Sequence, residues 1–310
     1  WATSCHGAGI AAVNAQTTIR DSRFHGNVMW CRHYDLFGAA LYVSGGTVTV
    51  EGVTFTNNYV YGENESGPSA NAFAGAVHMT SVKRVRIASS YFFRNRVTDF
   101  GATMGRGASL YVTGTTGVLS RVIMKGEGDV DNGRGAVFVA NGRLWATNVL
   151  AAQSVGENGM ICQAGNVTLV NATLAGNALG GLSNEAATVT MRNAVVWGNT
   201  LGGIGGNAAA TYSCVQGGFA GTGNISGDPL FLDTKHYHPK STVGVYTNGY
   251  FSDGTWAGAA QMSPTVDAGD PMDVYPTEAS PSGPRINMGY DGNTETASKG
   301  LLKGTTFCFL

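Results

Sequence analysis

Residues 38–58 read GAALYVSGGTVTVEGVTFTNN, a strand-like run that opens on Gly-Ala and closes on Asn-Asn. Its apolar residues alternate with Thr and Glu, the period-two pattern of a strand with one buried face. The same frame recurs as GAVHMTSVKRVRIASSYFFRN (75–95), GASLYVTGTTGVLSRVIMKGE (107–127) and GAVFVANGRLWATNVLAAQS (135–154). Shorter versions follow as NVTLVNATLAGN (166–177) and TVTMRNAVVWGN (188–199). The opening GAGIAAVNAQTTIRDSRFHGN (7–27) also fits, and ATYSCVQGG (210–218) reads as a last, partial copy.

Two columns of this alignment keep a separation of six residues. The first holds Asp21, Gly52, Ser89, Arg121, Asn148, Asn171 and Asn193; the second holds Asn27, Asn58, Asn95, Glu127, Ser154, Asn177 and Asn199. Asn at a bend tolerates the left-handed conformation, and its side-chain amide can bond the copy above and below. Between the columns stand Phe24, Phe55, Phe92, Met124, Ala151, Leu174 and Val196, and before them Ile19, Val50, Ile87, Leu119, Ala146, Leu169 and Met191. Stacking like residues at about 4.8 Å produces continuous inner ladders. A helical solenoid would show a 3.6-residue period, and a propeller blade needs about 40 residues; here Asn177 and Asn199 are only 22 apart. The pattern predicts an all-β fold: a right-handed parallel β-helix (solenoid) of about eight coils over 1–221, an irregular C-terminal capping module over 222–300, and an apolar strand-like tail over 301–310.

Composition fits. A chain of 310 residues exceeds the usual single core, but each coil of a repeat protein needs only its neighbours. Forty-six glycines without a triplet period favour tight turns. A net charge of -1 with 13% charged residues argues against a nucleic-acid partner. No apolar stretch of about 18 residues exists to span a membrane. The chain begins at Trp1 without a signal-peptide pattern, which reads as a processed or partial chain. Five cysteines without CxxC spacing argue against a zinc site; unpaired buried thiols are the plainer reading, with a Cys5–Cys31 bridge as the alternative.

Repeat lengths differ because extra residues follow the second column, at 28–37, 59–74, 96–106 and 128–134. These read as corner loops stacking into one wall, the usual place for binding on a repeat scaffold. Trp30, Tyr34, Tyr59 and Tyr61 offer flat apolar faces there, and Glu63, Glu65, Arg96, Asp99, Arg106 and Arg134 offer planar polar groups. Sugar rings or a protein surface suit that mixture; solvated corner caps are the bland alternative. A glycosidase needs two opposed carboxylates, which the sequence does not place, and the hydrolase motifs of known β-helix enzymes are missing. A lyase on uronates needs a base and a cation for the substrate carboxylate; Lys83, Arg86 and Arg94 are the candidates. Asp129 and Asp131 are weak calcium candidates without EF-hand spacing. His236 and His238 stand at alternate positions of an expected strand, without a third ligand. No cofactor motif is present.

From Thr222 the repeat gives way to Asp228-Pro-Leu-Phe231, Tyr237-His238, Ser263-Pro-Thr-Val-Asp-Ala-Gly-Asp-Pro271 and Gly283-Pro-Arg-Ile-Asn-Met-Gly289. In this order the chain resembles bacterial right-handed parallel β-helix repeat proteins closed by a choice-of-anchor type C-terminal region. Tyr290-Asp291-Gly292 departs from the family pattern. The resemblance implies export, a bacterial source and a cell-surface or extracellular role, and it carries over no catalytic residue. The expected function is a non-enzymatic structural or adhesive scaffold, with glycans or further copies of itself as partners through end-to-end assembly. A polysaccharide lyase and a carbohydrate-binding module are the alternatives.

Overall fold

A computed structural model describes residues 4–31, 34–62, 71–99, 105–128 and 133–301. Among these residues the protein is all-β, without helices, and most strands pair in parallel. The chain divides into two compact units. One comprises Trp1–Leu169, Thr173–Thr190 and Val196–Ala209; the other comprises Val170–Ala172, Met191–Val195 and Ala210–Leu310.

In the first unit, equivalent strands of successive copies lie side by side. One run is an eight-stranded parallel sheet, ordered Ile10–Val13, Leu41–Ser44, Val77–Thr80, Leu110–Thr113, Val137–Val139, Met160–Cys162, Leu182–Asn184 and Ile204–Gly205. A second series pairs Gln16–Arg20 with Thr47–Glu51, then Arg84–Phe93, Thr115–Lys125 and Gly142–Ala152, all in parallel. Chain order equals spatial order in both, which is compatible with a β-solenoid.

The long strands carry a built-in bend. Ser89 adopts φ 46° inside Arg84–Phe93, and Asp21, Gly52, Arg121 and Asn148 adopt φ 44°, 66°, 57° and 55° at the same column. That extra residue shifts the alternation by one, so that Val85 and Ile87 point inward before it and Ser90 and Phe92 after it. The aromatic column stacks: ring centroids of Phe24 and Phe55 lie 5.1 Å apart, and those of Phe55 and Phe92 lie 4.7 Å apart.

The second column is a buried amide ladder. Asn27 Nδ2 donates to Asn58 Oδ1 and Asn58 Nδ2 to Asn95 Oδ1, each at 2.8 Å. Further along, Asn177 Nδ2 donates to Asn199 Oδ1 at 2.8 Å. The chain separations between successive positions of the column are 31, 37, 32, 27, 23 and 22 residues, so the alignment absorbs large insertions without losing register. Glu127 takes an asparagine's place, its Oε2 accepting the Asn95 N–H at 3.0 Å. Burial pushes its carboxyl up to about 8, against hydrogen bonding from Asn95 that opposes the shift. A raised carboxylate pKa means that its contribution to stability is intact below the unfolded value of 4.5 and is lost as pH rises through about 8. Glu127→Gln keeps an acceptor and removes the charge. It is expected to raise Tm at pH 8.5 by at least about 4 °C while changing it little at pH 4, measured by thermal unfolding at both pH values.

Corner loops were expected at 28–37, 59–74, 96–106 and 128–134, and the structure corrects this. The first and last residues of 28–37, 59–74 and 96–106, and the last two of 128–134, are largely strand. Val28–Cys31, Tyr59–Gly62 and Arg96–Asp99 form one three-stranded parallel sheet. Ser4–His6, Asp35–Phe37, Ala72–Phe73, Gly105–Arg106 and Gly133–Arg134 form a five-stranded one. The reason is burial: Met29, Val60 and Val97 from the former pack with Leu36, Ala72, Ala39 and Ala108, a core that loops would have left open.

Among its described residues the second unit is largely irregular, with one hairpin of Val245–Thr247 and Thr255–Ala257. His236 and His238 were expected in a strand; His236 lies in a turn, His238 in irregular backbone, and both are buried. His238 contacts Asp291 Oδ2 through Nδ1 at 2.9 Å and Gly249 O through Nε2 at 2.9 Å. A carbonyl only accepts, so Nε2 carries a hydrogen, and Nδ1 and Asp291 share another between them. The Tyr290 hydroxyl donates to His236 O at 2.7 Å and lies 3.0 Å from His238 Nε2. Bends of the coil columns join this unit: Asn171 Nδ2 donates to Asn287 O, and Asn193 Nδ2 donates to Asp273 Oδ2 at 2.7 Å.

Candidate functional site

The three-stranded sheet gathers five of the expected binding residues, Trp30, Tyr59, Tyr61, Arg96 and Asp99. Its segments, VMWC, YVYG and RVTD, alternate with period two, and the register aligns Val28 with Tyr59 and Arg96, and Trp30 with Tyr61 and Thr98. Because Met29, Val60 and Val97 point into the core, the alternate side chains point outward. Trp30 is 55% exposed, Tyr59 and Tyr61 are half-buried, and their phenol rings meet edge to face at 5.7 Å. Arg96 is exposed beside Tyr59, and no partner holds its guanidinium among the described residues. Thr98 is buried, which closes the face at its far corner. The result is a strip of apolar rings with a cation at one end.

Other candidates lie elsewhere. Tyr34 is half-buried just before Asp35–Phe37. Arg106 belongs to the five-stranded sheet, where its guanidinium covers the rings of Phe73 at 5.8 Å and Phe138 at 5.5 Å. Glu63, Glu65, Asp129 and Asp131 fall outside the described residues, and Asp99 and Arg134 are described by backbone alone. Among the described residues no group of three or more His, Cys, Asp or Glu is arranged to hold a metal.

Lys83, Arg86 and Arg94 are not drawn to one point. Lys83 precedes Arg84–Phe93, Arg94 follows it in the left-handed region (φ 53°), and the Ser89 bend intervenes. Arg86 instead shares Glu51 with Arg20, at 3.5 and 3.4 Å. These pairs are exposed and contribute little beyond local order.

One constellation was missed. His6, Phe37, Phe73 and Arg106 align across the five-stranded sheet. Tyr42, His78, Tyr111 and Phe138 align across the eight-stranded one. The rings interlock: His78 stacks on Tyr42 at 5.4 Å and Tyr111 at 4.9 Å, and meets Phe37 edge-on at 4.9 Å. His78 is only 3% exposed; burial, and secondarily His6, lowers it to about 3, so the ring is neutral. With Phe138 fully buried, this ladder packs rather than offering a surface. Its signal was an aromatic on each strand after Gly-Ala, concealed because aligning on Gly75 sets His78 one residue out of step. The structure gives Ala74 the left-handed turn (φ 59°) that Gly38 makes (φ 66°).

Cys5 and Cys31 are free thiols packed against the same apolar cluster. Burial first, then the neighbouring Cys31, raises the Cys5 pKa. Cys162 and Cys214 are buried and pushed up to about 12 by desolvation, which makes them inert. No family model, curated protein or solved structure matches the chain.

Proposed function

We propose that this chain is a non-enzymatic extracellular scaffold of the adhesive kind, a right-handed parallel β-helix of about eight coils that holds glycans on the outer face of its three-stranded sheet. Parallel pairing in chain order and the Phe and Asn ladders support the solenoid reading. The bacterial surface family it resembles in residues 222–300 supports the location.

A single observation carries the ligand reading: Trp30, Tyr59 and Tyr61 share one outward face, fixed by a core on the other side. Rings anchored by backbone register need little ordering on binding, and the apolar faces of sugars stack on such rings. The lyase alternative lacks this support, since Arg86 is engaged by Glu51 and stands apart from Arg94.

Glycan-array binding tests the proposal. The wild-type chain is expected to retain a subset of oligosaccharides, and Trp30→Ala and Tyr61→Ala to weaken them at least tenfold, about 1.4 kcal/mol, with unchanged thermal unfolding. Binding that survives both substitutions, or no binding across a broad array, overturns it.

A further inference from the structure

Resting on that reading, we infer that the ligand is an acidic oligosaccharide whose carboxylate pairs with Arg96. The observation is one of register. Trp30 and Tyr61 occupy neighbouring strands at one level; Tyr59 and Arg96 occupy neighbouring strands two residues earlier. From Trp30 to Arg96 the sheet spans two strand spacings and two residues, about 12 Å overall. That is the reach of two or three linked sugars lying diagonally across the strands.

The chemistry along the diagonal changes in a defined order. Trp30 and Tyr61 present ring faces, Tyr59 meets Tyr61 at 5.7 Å, and Arg96 ends the strip with a guanidinium fork that no described residue engages. Arg20 and Arg86, by contrast, both pair with Glu51. Arg96 therefore stands as a planar donor beside aromatic rings, the geometry that accepts a carboxylate in two parallel hydrogen bonds. A neutral sugar would leave that fork to water, whereas a uronate ring stacked near Tyr59 brings its carboxylate to it. A protein partner is the less suitable occupant. Among the described residues the face is three strands wide and ends at buried Thr98, short of the roughly 800 Å² per partner of a stable protein interface.

Matched oligogalacturonides, as free acids and as methyl esters, separate this inference from the proposal beneath it. Titration calorimetry is expected to show the free acid binding about tenfold tighter than the ester, with the difference falling as salt rises. Arg96→Gln should remove that difference by weakening the acid alone, and Arg96→Lys should restore part of it. Equal binding of acid and ester by the wild-type chain, or an Arg96→Gln variant that keeps the preference, refutes the inference and leaves the aromatic face as a neutral-glycan site. Loss of both ligands in Trp30→Ala, with acid and ester each held at wild-type affinity by Arg96→Gln, has the same meaning. Failure of the wild-type chain to bind either ligand, or any other glycan, removes the underlying reading as well.

Discussion

Phe55→Ala is expected to lower stability by about 3–5 kcal/mol, the largest loss of any single aromatic truncation in the Phe column. Phe55 is fully buried between Phe24 and Phe92, with interplanar angles of 10° and 17°. Removing it opens a cavity at the centre of a stack and breaks two ring contacts at once, each worth about 0.5–1.5 kcal/mol beyond buried area. Strands paired rigidly above and below cannot collapse into the space. Phe24 has one ring neighbour and is only partly buried, so Phe24→Ala is expected to cost clearly less. Chemical denaturation of the three proteins checks the order: wild type, then Phe24→Ala, then Phe55→Ala. Equal losses from the two variants would mean that the rings do not stack as a column.

Asp291→Ala is expected to destabilise the second unit by about 3–5 kcal/mol. Asp291 and His238 are each 1% exposed in their side chains, and their contact at 2.9 Å fixes the imidazole between Asp291 and the Gly249 carbonyl. Removing the carboxylate strands a buried Nδ1 and loosens Tyr290, whose hydroxyl reaches both His238 and the His236 carbonyl. Asp291→Asn keeps the volume and an acceptor and should cost less. Trp256, packed 5.5 Å from Tyr246 and under the Lys299 ammonium at 4.5 Å, reports on this unit. Its fluorescence should shift at a lower denaturant concentration in Asp291→Ala. An unchanged midpoint would show that the network adds nothing to stability.

Legibility in the sequence followed chemistry that repeats. The Phe column, the left-handed bend and the amide ladder were readable because each keeps a fixed offset, with Phe in three copies of the inner column and Asn in five positions of the ladder. The strands at 28–31, 59–62 and 96–99 were not, because insertions of unequal length follow each one and hide a common register. Only the burial of Met29, Val60 and Val97 betrays them. The aromatic face was therefore found as a set of residues, while its planarity, and the placing of Arg96 beside Tyr59 rather than beside Arg106, needed the pairing. His78 was misaligned by one residue for a similar reason: the motif Gly-Ala marks the turn in most copies, but Ala74 makes the turn in that one. In the second unit nothing repeats, so composition was silent on contacts. Tyr290-Asp291, read as a departure from a family pattern, turns out to be the buried partner of His238.

A crystal structure read at the Phe column is the most direct test of the account. The expected result is parallel strands with the Phe55 ring about 5 Å from both Phe24 and Phe92, and with Asn58 bonded to Asn27 on one side and Asn95 on the other. Antiparallel pairing of 47–51 with 84–88, or Phe24, Phe55 and Phe92 set apart from one another, would contradict it.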